Sequence, residues 1–324
     1  MLKIEEYRID FIAHLQEKIN VVDPKNLYLP IEYILGLGGK RLRPILVFMG
    51  VTAFGEDYKE ALDASLAIEL FHNFTLLHDD IMDEAPLRRG RETVHEKWDV
   101  NTAILSGDAM FILAYQLLES YDGVNYKKLM QLFNKTSLEV CEGQQHDMDF
   151  ETRDNVTVEE YINMIGLKTS VLVAAALKMG AIIANAPEEE ADKIYDFGLN
   201  LGIAFQLQDD YLDAFGDTAT FGKQIGGDIM ENKKTYLYIE ALKNSDTETK
   251  EELLSWYSET LDDNTVKVKR VKELFKQVGS DKLIRDAIQN YTDKAFTVLD
   301  TISISEANSF VLKQFGDNLM TRTV

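Results

Sequence analysis

The chain has 324 residues, 45% of them hydrophobic, and a formal net charge of −21 from 34 Lys and Arg set against 55 Asp and Glu. That acidity argues against a nucleic-acid partner, which needs a basic face. The lone Cys141 excludes a disulfide framework or a thiolate metal cluster and fits a reducing, cytoplasmic compartment. The prolines are Pro24, Pro30, Pro44, Pro86 and Pro187, so everything after Pro187 is proline-free, which favours long helices over many short strands. No Ser/Gly/Pro-rich linker divides the chain, and the expectation is one all-α domain over residues 1–324. No run of about 20 apolar residues lacks a charge, so no membrane span is expected. Met1–Glu6 shows neither a signal-peptide core nor a transit composition.

Residues 2–20 read as an amphipathic helix with Ile4, Phe11, Ile12 and Leu15 inward. A turn at Asp23-Pro24 leads to a short helix over 28–37, stopped by Gly38-Gly39. Lys40, Arg41 and Arg43 then stand just before the apolar Ile45–Met49. Counter-charge for phosphate explains them, and the glycines let backbone come close to a ligand; a salt-bridged helix start is the plainer alternative.

The central helix is expected over about 58–84. Its run through Leu62, Leu66, Ile68, Leu70 and Phe71 leaves almost no polar face, as in a helix buried all round. It ends in Asp79, Asp80, Asp83 and Glu84. Acids at a helix C-terminus oppose the dipole and one another unless a cation intervenes. At about 3.6 residues per turn, Asp79 and Asp83 share a face, and oxygen-only ligands in a small arc suit Mg²⁺ completed by substrate phosphates. A solvated acidic helix end is the bland alternative. Pro86-Leu87-Arg88-Arg89-Gly90-Arg91 follows with three more cations, and arginine suits bidentate phosphate contacts. Ser106-Gly107-Asp108 is read as the capped start of another apolar helix.

Helices at about 126–149 and 157–185 come next. In the first, His146 is read as a structural, hydrogen-bonded residue, because no His-Glu-x-x-His pattern accompanies it. In the second, Lys168 interrupts an apolar tract and needs an acid, a phosphate or a path to the surface. The helix after Pro187 carries a second Asp-Asp-x-x-Asp at Asp209, Asp210 and Asp213. One such motif is weak evidence; two on long helices point to facing walls of one cavity holding metal against an anionic ligand. A glycine-rich loop with Lys223 follows, then Lys233-Lys234-Thr235. Residues 236–318 read as ordinary amphipathic helices without site chemistry.

Together, Gly38–Pro44, Asp79–Asp83 with Arg88-Arg89-Gly90, Lys168-Thr169, Phe205–Asp213 and the segment 227–235 resemble the trans-isoprenyl diphosphate synthases, or polyprenyl synthetases. The resemblance runs from about 30 to 240. It implies an isoprenoid synthase-type antiparallel helical bundle around a large central cavity, usually a homodimer. It further implies Mg²⁺-dependent head-to-tail condensation of isopentenyl diphosphate with an allylic prenyl diphosphate. Carried over by residue, Asp79, Asp83 and Asp209 hold Mg²⁺, and Arg88, Lys168, Thr169, Gln206, Lys223 and Lys233 contact the allylic diphosphate. Lys40, Arg43, His72 and Arg89 grip isopentenyl diphosphate. The resemblance leaves open whether Asp80, Asp210 and Asp213 touch metal. The resemblance further implies that Phe74, five positions before Asp79, floors the product pocket, with Phe71 below it, and that the non-aromatic Thr75 favours a C20 product over C15. A longer-chain synthase and a non-catalytic subunit of a heteromeric prenyltransferase are the alternatives. A terpene cyclase fits less well, since its second motif would differ and it has no use for Lys40 and Arg43.

Overall fold

The structure is a computed structural model that describes residues 4–216, 225–258 and 263–321. It resolves into two compact units, residues 1–134 with 175–194, and residues 135–174 with 195–324. Nearly every described element is helical.

In the first unit, α1 (Ile4–Lys18) opens on Glu5 and Glu6 and closes on Lys18, charges that suit the helix dipole. Its buried Tyr7 meets the rings of Phe48 and Tyr58 at centroid distances of 5.6 and 4.9 Å. Helix α2 (Lys25–Gly36) and α3 (Leu42–Ala53) follow, with Gly38 and Gly39 at φ +81° and +121° between them. The central helix is shorter than its apolar pattern predicts. Tyr58–Ala61 is a separate 3₁₀ turn, capped where Asp57 accepts from the Lys59 amide, and α4 runs Leu62–Met82. From Ala64 to Phe71 every residue of α4 is buried, as a helix apolar all round requires.

Beyond α4, Leu87–Arg88 pairs antiparallel with Arg91–Glu92, and a short helix α5 (Val94–Lys97) leads to α6 (Val100–Leu118). Helix α6 packs along α4. Ser106, expected to cap this helix, does not. Asp99 caps α6 by accepting from the Thr102 amide at 2.9 Å, and Ser106 lies inside the helix, where its Oγ donates to the Leu27 carbonyl at 3.0 Å. An aspartate seven residues upstream offered the better cap.

Three longer elements follow, α7 (Gly123–Glu151), α8 (Val158–Ile165) with α9 (Val171–Ile183), and α10 (Glu188–Phe215). A capping box of Thr157 and Glu160 starts α8. Between α8 and α9, Gly166–Ser170 forms a π turn where the periodicity predicts one unbroken helix. Val158–Ile183 has the length and mean hydropathy, 1.5, of a membrane-crossing segment, and 67% of its most apolar window is buried inside the protein.

The core of the second unit gathers Phe150, Tyr161, Ile165, Leu207 and Leu237 with residues of the later helices, such as Leu253, Leu274 and Ile284. Those helices are α11 (Gly227–Met230), α12 (Tyr236–Asn244), α13 (Thr247–Ser258), α14 (Thr265–Val278), α15 (Ser280–Leu299) and α16 (Glu306–Met320).

Candidate active site

In the first unit the middle of α4, the start of α3 with the loop before it, and the hairpin over 87–92 bring five basic side chains towards one another. Arg43 Nη1 donates to His72 Nε2 at 3.1 Å. Burial pushes the His72 imidazole well below its ordinary 6.5, and Arg43, Arg89, Arg88 and Arg41 push it the same way. His72 is therefore neutral, able to accept from Arg43. Burial likewise lowers Arg43 to about 10, with Glu69 opposing the shift and Arg89 adding to it. So many guanidinium groups around one imidazole repel each other, and an anion relieves that repulsion.

The loops are shaped for this gathering. Arg41 sits at φ +51°, with its guanidinium buried between the Glu69 carboxylate at 2.5 Å and the Leu35 carbonyl. Arg41 thus joins the loop to α4, and Arg43 is left facing His72. Arg89 Nη1 donates to the Gly38 carbonyl, and a Cβ at Gly39 would lie 2.8 Å from the Arg89 guanidinium. The glycine pair, expected to let backbone come close to a ligand, admits a close approach of Arg89. Lys40 adjoins Arg41 in the same loop.

The acidic triplet divides. Asp83 is exposed at the C-cap of α4, where its amide donates to the Asp79 carbonyl at 2.9 Å, and Asp79 is half-buried. Asp80 is buried, and both its oxygens accept from Arg88 Nε at 2.8 Å. Burial raises the Asp80 carboxyl, and Arg88 works against that rise. Below the triplet, Phe74 stacks on Phe111 of α6, with centroids 5.0 Å apart and planes at 8°. Phe71 lies 5.6 Å from each of them and 5.4 Å from Phe133. Nothing in the local spacing singles out Phe111 or Phe133.

In the second unit the triplet on α10 divides the same way. Asp210 is buried, accepting from the Tyr161 hydroxyl at 2.5 Å and from Gln206 Nε2 at 3.2 Å. Burial holds the Asp210 carboxyl well above the carboxylate range, and Asp228 adds to that effect. Asp213 turns to α11, where its Oδ2 accepts from the Asp228 amide at 3.1 Å. Asp209 is half-buried. Lys168 and Thr169 lie on the π turn, and Lys168 Nζ donates to Asp147 at 2.5 Å. Backbone packs directly on this turn. A Cβ on Gly143 would fall 2.2 Å from the Lys168 amide nitrogen, and one on Gly202 would fall 2.8 Å from Ser170. Lys233 pairs with Glu231 at 2.8 Å, while Lys234 donates to the carbonyl of Arg153, two residues past the end of α7. Lys223 lies outside the described residues. His146 is corrected: it is exposed, 6.2 Å from the Phe150 ring, and makes no side-chain hydrogen bond among the described residues.

The model of the polyprenyl synthetase family matches residues 24–278. The chain belongs to the polyprenyl synthetase family. It is a prenyltransferase with the all-α isoprenoid synthase fold. It is 37% identical over 312 residues to the geranylgeranyl diphosphate synthase of Methanosarcina mazei, covering 96% of this chain and 94% of that one. A crystal structure of a geranylgeranyl pyrophosphate synthase shares 53% identity with a TM-score of 0.96, covering 99% of both chains. The geranylgeranyl pyrophosphate synthetase of Pyrococcus horikoshii superposes with a TM-score of 0.91 at 34% identity, over 98% of this chain and 96% of that one. The family match extends well past residue 240 into α14, a tract that motif reading leaves without site chemistry.

Prenyl diphosphate chemistry in this family implies a divalent ion, and the donor set suits one. Among the described residues no group of three or more His, Cys, Asp or Glu side chains forms a ready-made ion cage. A carboxylate pair completed by substrate oxygens and water fits Mg²⁺, a hard ion that dehydrates reluctantly.

Proposed function

We propose that the chain, acting as one catalytic domain, condenses isopentenyl diphosphate head-to-tail with an allylic diphosphate to give a C20 prenyl diphosphate. The observation that carries this reading is the nest of Arg43, Arg88 and Arg89 around a neutral His72, beside the carboxylates that close α4. A prenyltransferase that took only one diphosphate would have no use for so many cations in this unit.

Asp79, Asp83 and Asp209 are the carboxylates suited to Mg²⁺. Mg²⁺ held by carboxylates of this kind would supply charge neutralisation for a departing diphosphate. Lys40, Arg43, Arg89 and His72 hold isopentenyl diphosphate, with the neutral imidazole keeping Arg43 oriented. Arg88, Lys168, Thr169, Gln206, Lys223 and Lys233 serve the allylic diphosphate. Their ammonium and guanidinium groups stabilise charge that develops as the allylic C–O bond breaks. The double bond of isopentenyl diphosphate attacks the resulting cation, and the departing diphosphate accepts the proton then lost. No protein nucleophile is needed. Phenylalanine walls exclude water, which would quench the cation.

The stacked Phe74 and Phe111 support a short product, since a ring pair roughly 7 Å below Asp79, at 1.5 Å rise per residue, leaves a shallow pocket. The names of the relatives support C20 in particular. We further propose a cytoplasmic homodimer. Its support is the family resemblance and an exposed apolar stripe on α6, with Val100, Ile104, Leu105 and Ile112 each at least 40% exposed.

The test is to incubate the purified chain with Mg²⁺, labelled isopentenyl diphosphate and each allylic primer, and to size the products. Geranylgeranyl diphosphate is expected. No elongation of any primer would overturn the reading, and a C30 or longer product would overturn the assigned floor.

A further inference from the structure

The C-terminal tract contributes a charge that the reaction as described does not use. Lys267, in the first turn of α14, has 0% of its surface exposed. A lysine sealed from water is costly unless its ammonium is satisfied. Its Nζ donates to Asn232 Oδ1 at 2.5 Å and stands 5.9 Å from the Tyr257 ring centroid. Asn232 holds φ +58°, a left-handed conformation that asparagine tolerates better than most residues. It immediately precedes Lys233.

The turn between Asp228 and Lys233 is secured at both ends. At its start, the Asp228 amide donates to the Asp213 carboxylate, so the last aspartate of the second triplet anchors it. The Lys233 amide donates back to the Asp228 carbonyl at 2.8 Å, closing the turn. At its other end stands the Lys267–Asn232 hydrogen bond.

We propose that Lys267 is a positioning residue: its buried ammonium fixes the Asn232 turn and so aims Lys233 at the allylic diphosphate. The proposal rests on the role given to Lys233 above. It extends the site to a helix that carries none of the motifs, and it explains a full-length lysine where a methionine would fill the space at lower cost.

The decisive comparison is steady-state kinetics of Lys267→Met, Asn232→Gly and the double variant, with melting temperatures alongside. Glycine keeps the left-handed turn and removes the acceptor. The expected result is a KM for the allylic substrate raised about tenfold in each single variant, with the KM for isopentenyl diphosphate unchanged; misplacing one contact group has effects of this order or larger. The double variant should be no worse than either single one, since both remove the same contact. A purely structural lysine predicts something else: a lower melting temperature and a smaller active fraction, with both KM values intact. That outcome, or additive effects in the double variant, overturns the proposal. Should Lys267→Met not fold, Asn232→Gly alone decides, and an unchanged allylic KM overturns it. Lys233→Ala separates the two levels. If it too leaves the allylic KM unchanged, the role of Lys233 itself is wrong.

Discussion

The middle aspartate of each triplet is turned inward, Asp80 to Arg88 and Asp210 to Tyr161. Spacing alone makes Asp79, Asp80 and Asp83 look equivalent, because the contact that separates them comes from a hairpin eight residues on. The same holds for Lys168, whose need for an acid is legible in an apolar tract but whose partner, Asp147, lies 21 residues away. Motif spacing therefore nominates the candidate residues, and long-range pairing distinguishes among them. Asp79→Ala should lower turnover by at least about 10², the scale of losing one key charge-stabilising group. Near-normal turnover of the purified variant at saturating Mg²⁺ would remove Asp79 from the chemistry. His72 offers a second check at this scale. With its folded pKa held well below 6.5, it stays neutral while the unfolded chain begins to take up a proton as pH falls through about 6.5. The unfolded state then binds more protons, so this residue's contribution to stability is lost on acidification below that point. Between pH 7.5 and 5.5 the melting temperature of the native chain should therefore drop more than that of His72→Gln. Equal drops would mean that His72 titrates normally.

Among the elements, α4 is the most legible and the π turn the least. An apolar run with no polar face can only be a buried helix, and residues 64–71 are buried without exception. The π turn Gly166–Ser170 leaves no trace in hydrophobic periodicity, because one extra residue inside a tract already apolar on most faces changes no visible pattern. Its location follows from packing, with Gly143 and Gly202 admitting the turn at backbone distance. The proposed floor of the product pocket likewise draws on two elements. Phe74 on α4 is identified by its offset from Asp79, whereas Phe111 on α6 is visible only as a stacked partner. Removing either ring opens the same space, so Phe74→Ala and Phe111→Ala should each shift the product ladder towards C25 and longer, with Phe71 and Phe133 forming the next obstruction. Product sizing by chromatography checks this. Lengthening with Phe74→Ala but not with Phe111→Ala would mean that the α6 ring only supports the floor.

At the scale of the whole molecule, charge and apolar surface pull in opposite directions. A net −21 discourages two copies from meeting. Yet α6 exposes Leu105 at 60% and Ile112 at 59%, with Val100 and Ile104 further round the same exposed face, and the proposed homodimer would cover this apolar stripe. Burial of apolar area does not depend on salt to first order, whereas repulsion between exposed charges fades beyond about 8 Å at physiological ionic strength. Light scattering should therefore give about twice the 36.9 kDa chain mass at 0.15 M salt, with dissociation favoured as salt is lowered. Placing charge in the stripe, with Leu105→Glu and Ile112→Glu together, should yield monomers at every salt concentration without lowering the helical circular dichroism, because both side chains already face outward. A monomer mass for the unaltered chain at 0.15 M would show that the stripe has another partner, and a dimer that survives both glutamates would move the interface off α6.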